Sequence, residues 1–252
     1  MSKFDAIILA GAPAGAELSS DPAISRAMVP IGDKTMLQWV VDALRGSEQV
    51  GRIIAVGEVS ADGLDGIVQP GEDLVSNIRL GVEALDTTDS VLIVSSDIPL
   101  LTAEAVGDFL DRAGSLGVDL AYPIIPKAHC RAKYPQLKRT YLKTADGVFT
   151  GGNLMLVKPS FISDHWQSIA EAYAARKHVP RLARMIGIGV LLRVIVAQFV
   201  PGVLRVRLLE RAASRVLGAS FAAVVSAYPE IGEDVDKPSD LEAVRAILGT
   251  RK

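Results

Sequence analysis

The sequence predicts an α/β fold built on a mainly parallel central sheet. Three observations carry that prediction. Short β-branched apolar runs alternate with helical patterns through the first half of the chain, the alternation that βαβ units require. The run Val91-Leu92-Ile93-Val94 has no polar face, as in a strand covered by helices on both sides. Gly11 and Asp97 directly follow strand-like runs, at the carboxyl ends where open α/β sheets bind ligands.

Each element has a local reason. Residues 6–9 form the first strand, which stops at Ala10-Gly11 before a turn-rich loop that runs to Ser25. Thr35 is placed to cap a helix over 36–44, in which Met36, Leu37, Val40, Val41 and Leu44 share one face. A second strand follows at 52–57. Residues 73–85 read as a helix with Leu74, Ile78 and Val82 on its apolar side and Glu72 and Asp73 near its positive end. The two-sided strand covers 90–95, and Thr102 starts a helix over 103–113. Beyond it we expect a strand at 120–125, a polar basic loop over 127–143 and a hairpin turn at Asp146-Gly147 leading into a strand over 148–157. Helical material fills 160–215 with interruptions at Pro180 and Pro201. A strand at 222–226, a loop over 228–238 and a helix over 239–248 close the chain.

The 252 residues are 49% apolar and carry a net charge of −2, which excludes a disordered chain. Cys130 is the one cysteine, so an internal disulfide and a cysteine metal cluster are both excluded, and a reducing compartment fits. The apolar run at residues 6–9 is too short for a signal peptide, and the expected location is the cytoplasm. His129, His165 and His178 have no metal-ligand spacing.

Charge is unevenly spread. Nine of the 27 Lys and Arg fall between Arg176 and Arg215, a stretch with a single acid, Glu210. The same stretch contains the most apolar run of the chain, 185–204. Arg193, Gln198 and Pro201 argue against a membrane span there. Core packing, a homodimer interface and amphipathic helices lying on an anionic membrane surface all remain open, the last giving peripheral membrane association. We treat 1–252 as a single domain with an apolar, basic helical insertion at about 176–217. Its basic residues are interleaved with aliphatics and not with stacking aromatics, so no nucleic-acid partner is expected.

Asp97 lies where a long apolar strand stops, so its carboxylate emerges at the sheet edge. One carboxylate there suits a hard cation, and a second one converging on it from Asp234 or Asp236 would hold Mg²⁺ with positions left for phosphate oxygens. The other reading is a turn cap at Asp97 and solvated loop acids at Asp234 and Asp236. Gly11 and Gly15 would let backbone N–H groups approach a phosphate, or would simply make a flexible connection.

These pieces occur together and in order. LAG after the first strand, SRAMVPIGDKTMLQWVVDAL, SSDIPLLT, GGNLMLVKP and DVDKPSDLEAV resemble the MobA-like nucleotidyltransferases of the sugar-nucleotide pyrophosphorylase superfamily, over nearly the whole chain from Ile8 to Val244. The resemblance implies a GT-A-like, Rossmann-like three-layer α/β/α fold. It implies an NTP and Mg²⁺ as substrate and cofactor, with attack by an acceptor oxygen on the α-phosphorus and release of pyrophosphate. Carried over by position, Leu9, Ala10, Gly11, Gly15 and Arg26 would bind the nucleotide, with Ser76 and Asn77 on base and ribose. Arg26 and Asp97 would be catalytic, Asp97 and Asp236 would ligate the metal with Asp234 as the substitute, and Gly152 and Asn153 would line the acceptor side. Lys138 and Arg139, in a basic loop expected on that side, suit a small anionic acceptor, phosphorylated and in one form lipid-linked.

Three departures qualify this. The family's GGxGxR stands here as Gly11-Ala12-Pro13-Ala14-Gly15-Ala16, without the second glycine and the arginine. Pro-Lys stands as Ser25-Arg26, which keeps the charge but changes the geometry. GKP stands as Asp33-Lys34-Thr35. Arg26, Lys34, Arg131, Lys138 and Arg139 are the cations that would grip a triphosphate instead. The altered loop keeps two alternatives alive: a non-catalytic nucleotide-binding regulator on the same fold, and a GT-A glycosyltransferase.

Overall fold

The computed structural model describes residues 3–15, 17–19, 21, 23–175 and 178–249. Ala16, Arg176 and Lys177, which figure in the sequence reading, lie outside the described residues. In chain order the strands are β1 (Phe4–Leu9), β2 (Pro30–Ile31), β3 (Lys34–Thr35), β4 (Val50–Val56), β5 (Gly66–Val68), β6 (Val91–Ser95), β7 (Leu120–Pro126), β8 (Leu142–Thr144), β9 (Gly147–Gly151), β10 (Leu154–Val157) and β11 (Phe221–Val225). The helices are α1 (Met36–Gly46), α2 (Leu74–Leu85), α3 (Ala103–Gly114), α4 (Lys127–Lys133), α5 (Pro159–Ala175), α6 (Val179–Ile186), α7 (Ile188–Ala197), α8 (Val206–Leu217) and α9 (Pro238–Gly249).

Nine of these strands form one sheet in the order β5-β4-β1-β6-β10-β7-β9-β8, with β11 paired to β7. Strands β5, β4, β1 and β6 run parallel, β10 is antiparallel to both β6 and β7, and β9 is antiparallel to β7 and β8. All but β10 and β9 therefore point the same way, and the sheet is mainly parallel. Alternation along β1 and β6 divides the core. Ala6, Ile8, Leu92 and Val94 pack under α1 and α3, whereas Ile7, Val91 and Ile93 pack under α2 and the start of α5. Helices thus cover both faces, as an unalternating strand demands. The close approach on the second face needs Gly81, since a Cβ there would lie 2.6 Å from Ile7 Cγ2.

Local capping sets the helix starts that the sequence gives. Thr35 Oγ1 accepts Gln38 N at 3.1 Å, and Asp73 and Ser76 form a reciprocal capping box at α2. The structure departs from the sequence reading in four places. Residues 127–133 of the expected basic loop form α4. The expected strand 148–157 is broken at Gly152-Asn153, because β9 pairs with β7 while β10 crosses to β6. Leu74, expected on the apolar side of α2, is exposed. The small hairpin β2-β3 and the short edge strand β5 had no apolar run long enough to mark them. The helical stretch is broken where the prolines predict: His178 and Val200 are non-helical, and Pro180 and Pro201 lie in the first turns of the segments that follow, as proline's fixed φ favours. Gly147, at the predicted hairpin, has φ 144°.

The segment from α6 to α8 lies between α5 and β11. Residues 145 and 204 join it to the β8-β9 hairpin through Ala145 N to Leu204 O at 2.7 Å, and Lys143 Nζ donates to Gln198 O at 2.7 Å. Among the described residues no helix is long and apolar enough to cross a membrane. The start of β11 is fixed by Asp119. Its Oδ2 accepts from Ser220 N at 2.8 Å and from Ser220 Oγ at 2.6 Å, and Lys158 Nζ donates to Oδ1 at 3.0 Å.

Two outcomes test this packing. Gly81→Leu forces side-chain volume against Ile7 and is expected to lower stability by about 2 kcal/mol or more in denaturant titrations. The Ser220 bonds, with Lys158, hold the Asp119 carboxyl down to about 2, so the stabilisation is present above the ordinary carboxylate value and lost as pH falls through about 2. Asp119→Ala is expected to cost about 1–2 kcal/mol near neutral pH and to flatten acid unfolding in that window, as read by circular dichroism.

Candidate active site

The sheet's carboxyl edge at β1 and β6 gathers chain from five places. The backbone at Leu9 accepts from Ser96 N at 3.3 Å, and Ser95 N donates to Asn153 O at 2.9 Å, so the turns after β1 and β6 and the Gly152-Asn153 break are neighbours. The loop after β1 returns alongside 24–26, with Arg26 N donating to Ala12 O at 2.8 Å. The chain after β11 arrives through Val235, whose N–H donates to Asp97 O at 2.9 Å. Val235 is fully buried in a cluster with Leu100, Leu241 and Val244, and this anchor leaves its two acidic neighbours beside Asp97.

The result is a carboxylate cluster: Asp97, Asp234 and Asp236 each offer an oxygen within 4.8 Å of the others. Two guanidinium groups compensate it. Arg26 Nη1 lies 2.6 Å from Asp236 Oδ1 and 3.3 Å from Asp97 Oδ2, and Arg139 pairs with Asp234. The Ser95 hydroxyl donates to Asp97 Oδ1. Burial pushes the Asp97 carboxyl up, Ser95 and Arg26 pull it down, and Asp236 adds to the rise. A multivalent hard cation would relieve the repulsion and the burial cost together, and the all-oxygen donor set fits such an ion. Two buried donors in the same place, Arg26 Nε and Asn153 Nδ2, have no hydrogen-bond partner among the described residues, as befits a site built for an acceptor-rich ligand.

A cleft of about 490 Å³ adjoins the cluster, lined by Leu9, Gly11, Ala12, Asp73, Leu74, Asn77, Ser95, Gly152, Asn153 and two tyrosines, Tyr122 and Tyr173, among others. Asn77 is held rigid, since its Oδ1 accepts Gly71 N at 2.7 Å, and Gly11 makes room for it: a Cβ there would meet Asn77 Nδ2 at 2.9 Å. A second cleft of about 410 Å³ is lined by Lys138, Arg139, Thr140, Asp234, Asp236 and Lys237.

The candidates from sequence are therefore placed unequally. Leu9, Gly11, Asn77, Gly152 and Asn153 share the larger cleft, and Arg26, Asp97 and Asp236 meet beside it. Asp234, the substitute ligand, joins the cluster as a third member. Lys138 and Arg139 line the second cleft and not the one holding Gly152 and Asn153. Ala10 is buried, with its carbonyl occupied by the Ser25 hydroxyl. The Ser76 hydroxyl is spent on capping α2. Gly15 takes φ 71° to turn the loop and is not among the residues lining the larger cleft. Of the other cations, Lys34 pairs with Asp42 at 2.7 Å in a separate pocket, and Arg131 donates to Pro135 O. The sequence reading missed Tyr122, whose hydroxyl donates to Gly152 O at 2.7 Å, and Tyr173 and Ser95. Ser95 is the first residue of the SSDIPLLT segment, which could have marked it, whereas the tyrosines carry no local signal.

A three-layer sheet with a carboxylate cluster beside a nucleotide-sized cleft at its carboxyl edge defines a nucleotidyltransferase-like protein. The sequence model of the MobA-like NTP transferase domain matches residues 6–201, and the chain belongs to that family, a class of transferases of phosphorus-containing groups. The match ends before the loop that carries Asp234 and Asp236. The chain is similar to a hypothetical transferase from Thermus thermophilus, 34% identical, with 95% of this chain and 99% of that one covered at a TM-score of 0.84. Its fold is shared by CMP:2-keto-3-deoxy-manno-octonic acid synthetase complexed with CTP (13% identity, both chains covered 100%, TM-score 0.60). It is shared too by 4-diphosphocytidyl-2C-methyl-D-erythritol synthase (16% identity, 98% and 99% covered, TM-score 0.57). No curated protein matches the chain.

Proposed function

We propose that this protein is a Mg²⁺-dependent nucleotidyltransferase that moves an NMP from an NTP to a small anionic acceptor. The observation that carries the reading is the meeting of Asp97, Asp234 and Asp236 beside Arg26 and the cleft of Gly11, Asn77 and Asn153. An acceptor oxygen attacks the α-phosphorus, the bond between that phosphorus and the bridging oxygen breaks, and pyrophosphate leaves with the electron pair.

The chain's own residues supply position and charge. Asp97, Asp234 and Asp236 would hold Mg²⁺, which when bound neutralises phosphate charge and orients the phosphates. Arg26, released from its carboxylates as their charge is balanced, offers its guanidinium to the phosphates, where planar paired donors suit two oxygens at once. Gly11, Ala12 and Asn77 would bind the nucleoside end, and Asn153 would donate its free amide hydrogens to the ligand. Lys138 and Arg139 give the anionic acceptor a route past Asp234. An apolar slot of about 220 Å³ between β9 and α8 shares the Tyr122 wall with the main cleft, so a lipid-linked acceptor belongs among the candidates. The one cysteine, Cys130, is buried, and a chain that can form no internal disulfide fits the reducing cytoplasm.

Pyrophosphate release measured across the four NTPs with phosphorylated acceptors tests the reading, with CTP first because the synthetase of shared fold was captured with it. Release that requires both acceptor and Mg²⁺ is expected; nucleotide binding without release would favour the regulator that Ala12 and the missing arginine motivate. Asp97→Asn is expected to reduce turnover by at least about 10³-fold with an unchanged melting profile, and Arg26→Ala by about 10²-fold. Turnover near wild type in Asp97→Asn overturns the metal assignment.

A further inference from the structure

Helix α7 and the turn after it present an apolar face that none of the described residues covers. Ile188, Leu192, Ile195, Val196, Phe199 and Val200 are all exposed, Phe199 at 85%, and their spacing of three and four puts them on one side of the helix. The opposite side is the packed one, where Val190 and Ala197 are buried. The segment is held in place by Lys143 Nζ on Gln198 O and by Ala145 N on Leu204 O, both at 2.7 Å. It is a fixed platform of the fold.

The charge around this face is mostly positive, the nearby acid Asp146 being bonded to Val206 N at the start of α8. Helices α6 and α8 both pack on α7; they and Arg205, just before α8, expose Arg181, Arg184, Arg205, Arg207, Arg211 and Arg215, and none of these forms an ion pair among the described residues. Arg193 lies on α7 itself, and its guanidinium donates to Gly189 O at 3.0 Å. The single acid within the segment, Glu210, is engaged with Ala223 N at 2.9 Å. A twofold dimer through this face would bring this basic patch against the same basic patch of the partner, since an isologous interface uses one surface twice, and like charges facing each other are unfavourable.

We propose that this face docks the protein on an anionic lipid bilayer, with the α7 side chains entering the headgroup region and the arginines of α6 and α8 binding lipid phosphates. Exposed aliphatic and aromatic side chains beside unpaired arginines are the two signals that interfacial attachment needs. Lipid contact is independent of nucleotidyl transfer, so either can fail alone.

Co-sedimentation of the full chain with vesicles tests it. Binding is expected to equimolar phosphatidylcholine–phosphatidylglycerol vesicles, weakening as salt rises, with little binding to phosphatidylcholine alone. The double variant Leu192→Ser with Phe199→Ser, and separately Arg205→Glu with Arg207→Glu, are each expected to weaken partitioning about tenfold or more while keeping the wild-type melting curve. The second variant decides the matter if the first fails to fold. Absence of binding to the anionic vesicles, wild-type binding by both variants, or a dimer in light scattering that the Leu192/Phe199 variant dissolves would each overturn the proposal.

Discussion

Three carboxylates within 4.8 Å of one another are the constraint around which the functional edge of this protein is arranged. At that spacing each pair of full charges repels by about 3 kcal/mol even at an effective dielectric of about 20. The cluster persists because Arg26 and Arg139 lie against it and because Asp97, half-buried at the end of β6, also takes a hydrogen bond from Ser95. The counter-cations are thus part of the site's construction, and a bound cation would change which partners they hold. An arrangement that is costly without a ligand and relieved by one is a normal property of a functional site.

What holds the acids together is apolar packing at some remove from them. Val235 is buried among Leu100, Leu241 and Val244, and its N–H bonds to Asp97 O. Helix α9 therefore does more than close the chain: through Leu241 and Val244 it presses the Asp234–Asp236 loop onto the end of β6. The other wall depends on the sheet. Strand β9 stays with β7 while β10 crosses to β6, and the break between them delivers Gly152 and Asn153 to the cleft. Tyr122 fastens that break by its hydroxyl bond to Gly152 O.

The region from α6 to α8 obeys a different logic. Its inner face is joined to the β8-β9 hairpin by backbone and lysine bonds, while its outer face combines exposed apolar side chains with arginines that lack carboxylate partners among the described residues. In an otherwise acidic chain such a segment concentrates both hydrophobic and electrostatic attraction on one side. The near-neutral total charge of −2 conceals this division.

The sequence by itself determined the class of fold and the main elements, because apolar periodicity and capping residues act over a few residues: the two-sided run at β6, the Thr35 cap of α1 and the Asp73 cap of α2 were all legible. It also named Asp97 and Asp236 as residues that come together: their places after strands made convergence one reading, and the family resemblance, not a spacing rule, favoured it. The hairpin β2-β3 and strand β5 were too short for periodicity to register, and α4 lay in a stretch whose charge masked its helical form. Only the tertiary structure decided which candidate groups are available for chemistry. Ser76 and Lys34 are engaged locally, Lys138 and Arg139 open on a second cleft, and Asp234 becomes a full member of the cluster. Tyr122 and Tyr173 enter the main cleft from distant strands and helices. Whether a polar group is free or engaged depends on long-range contacts that burial and packing create, and a linear sequence does not contain those distances.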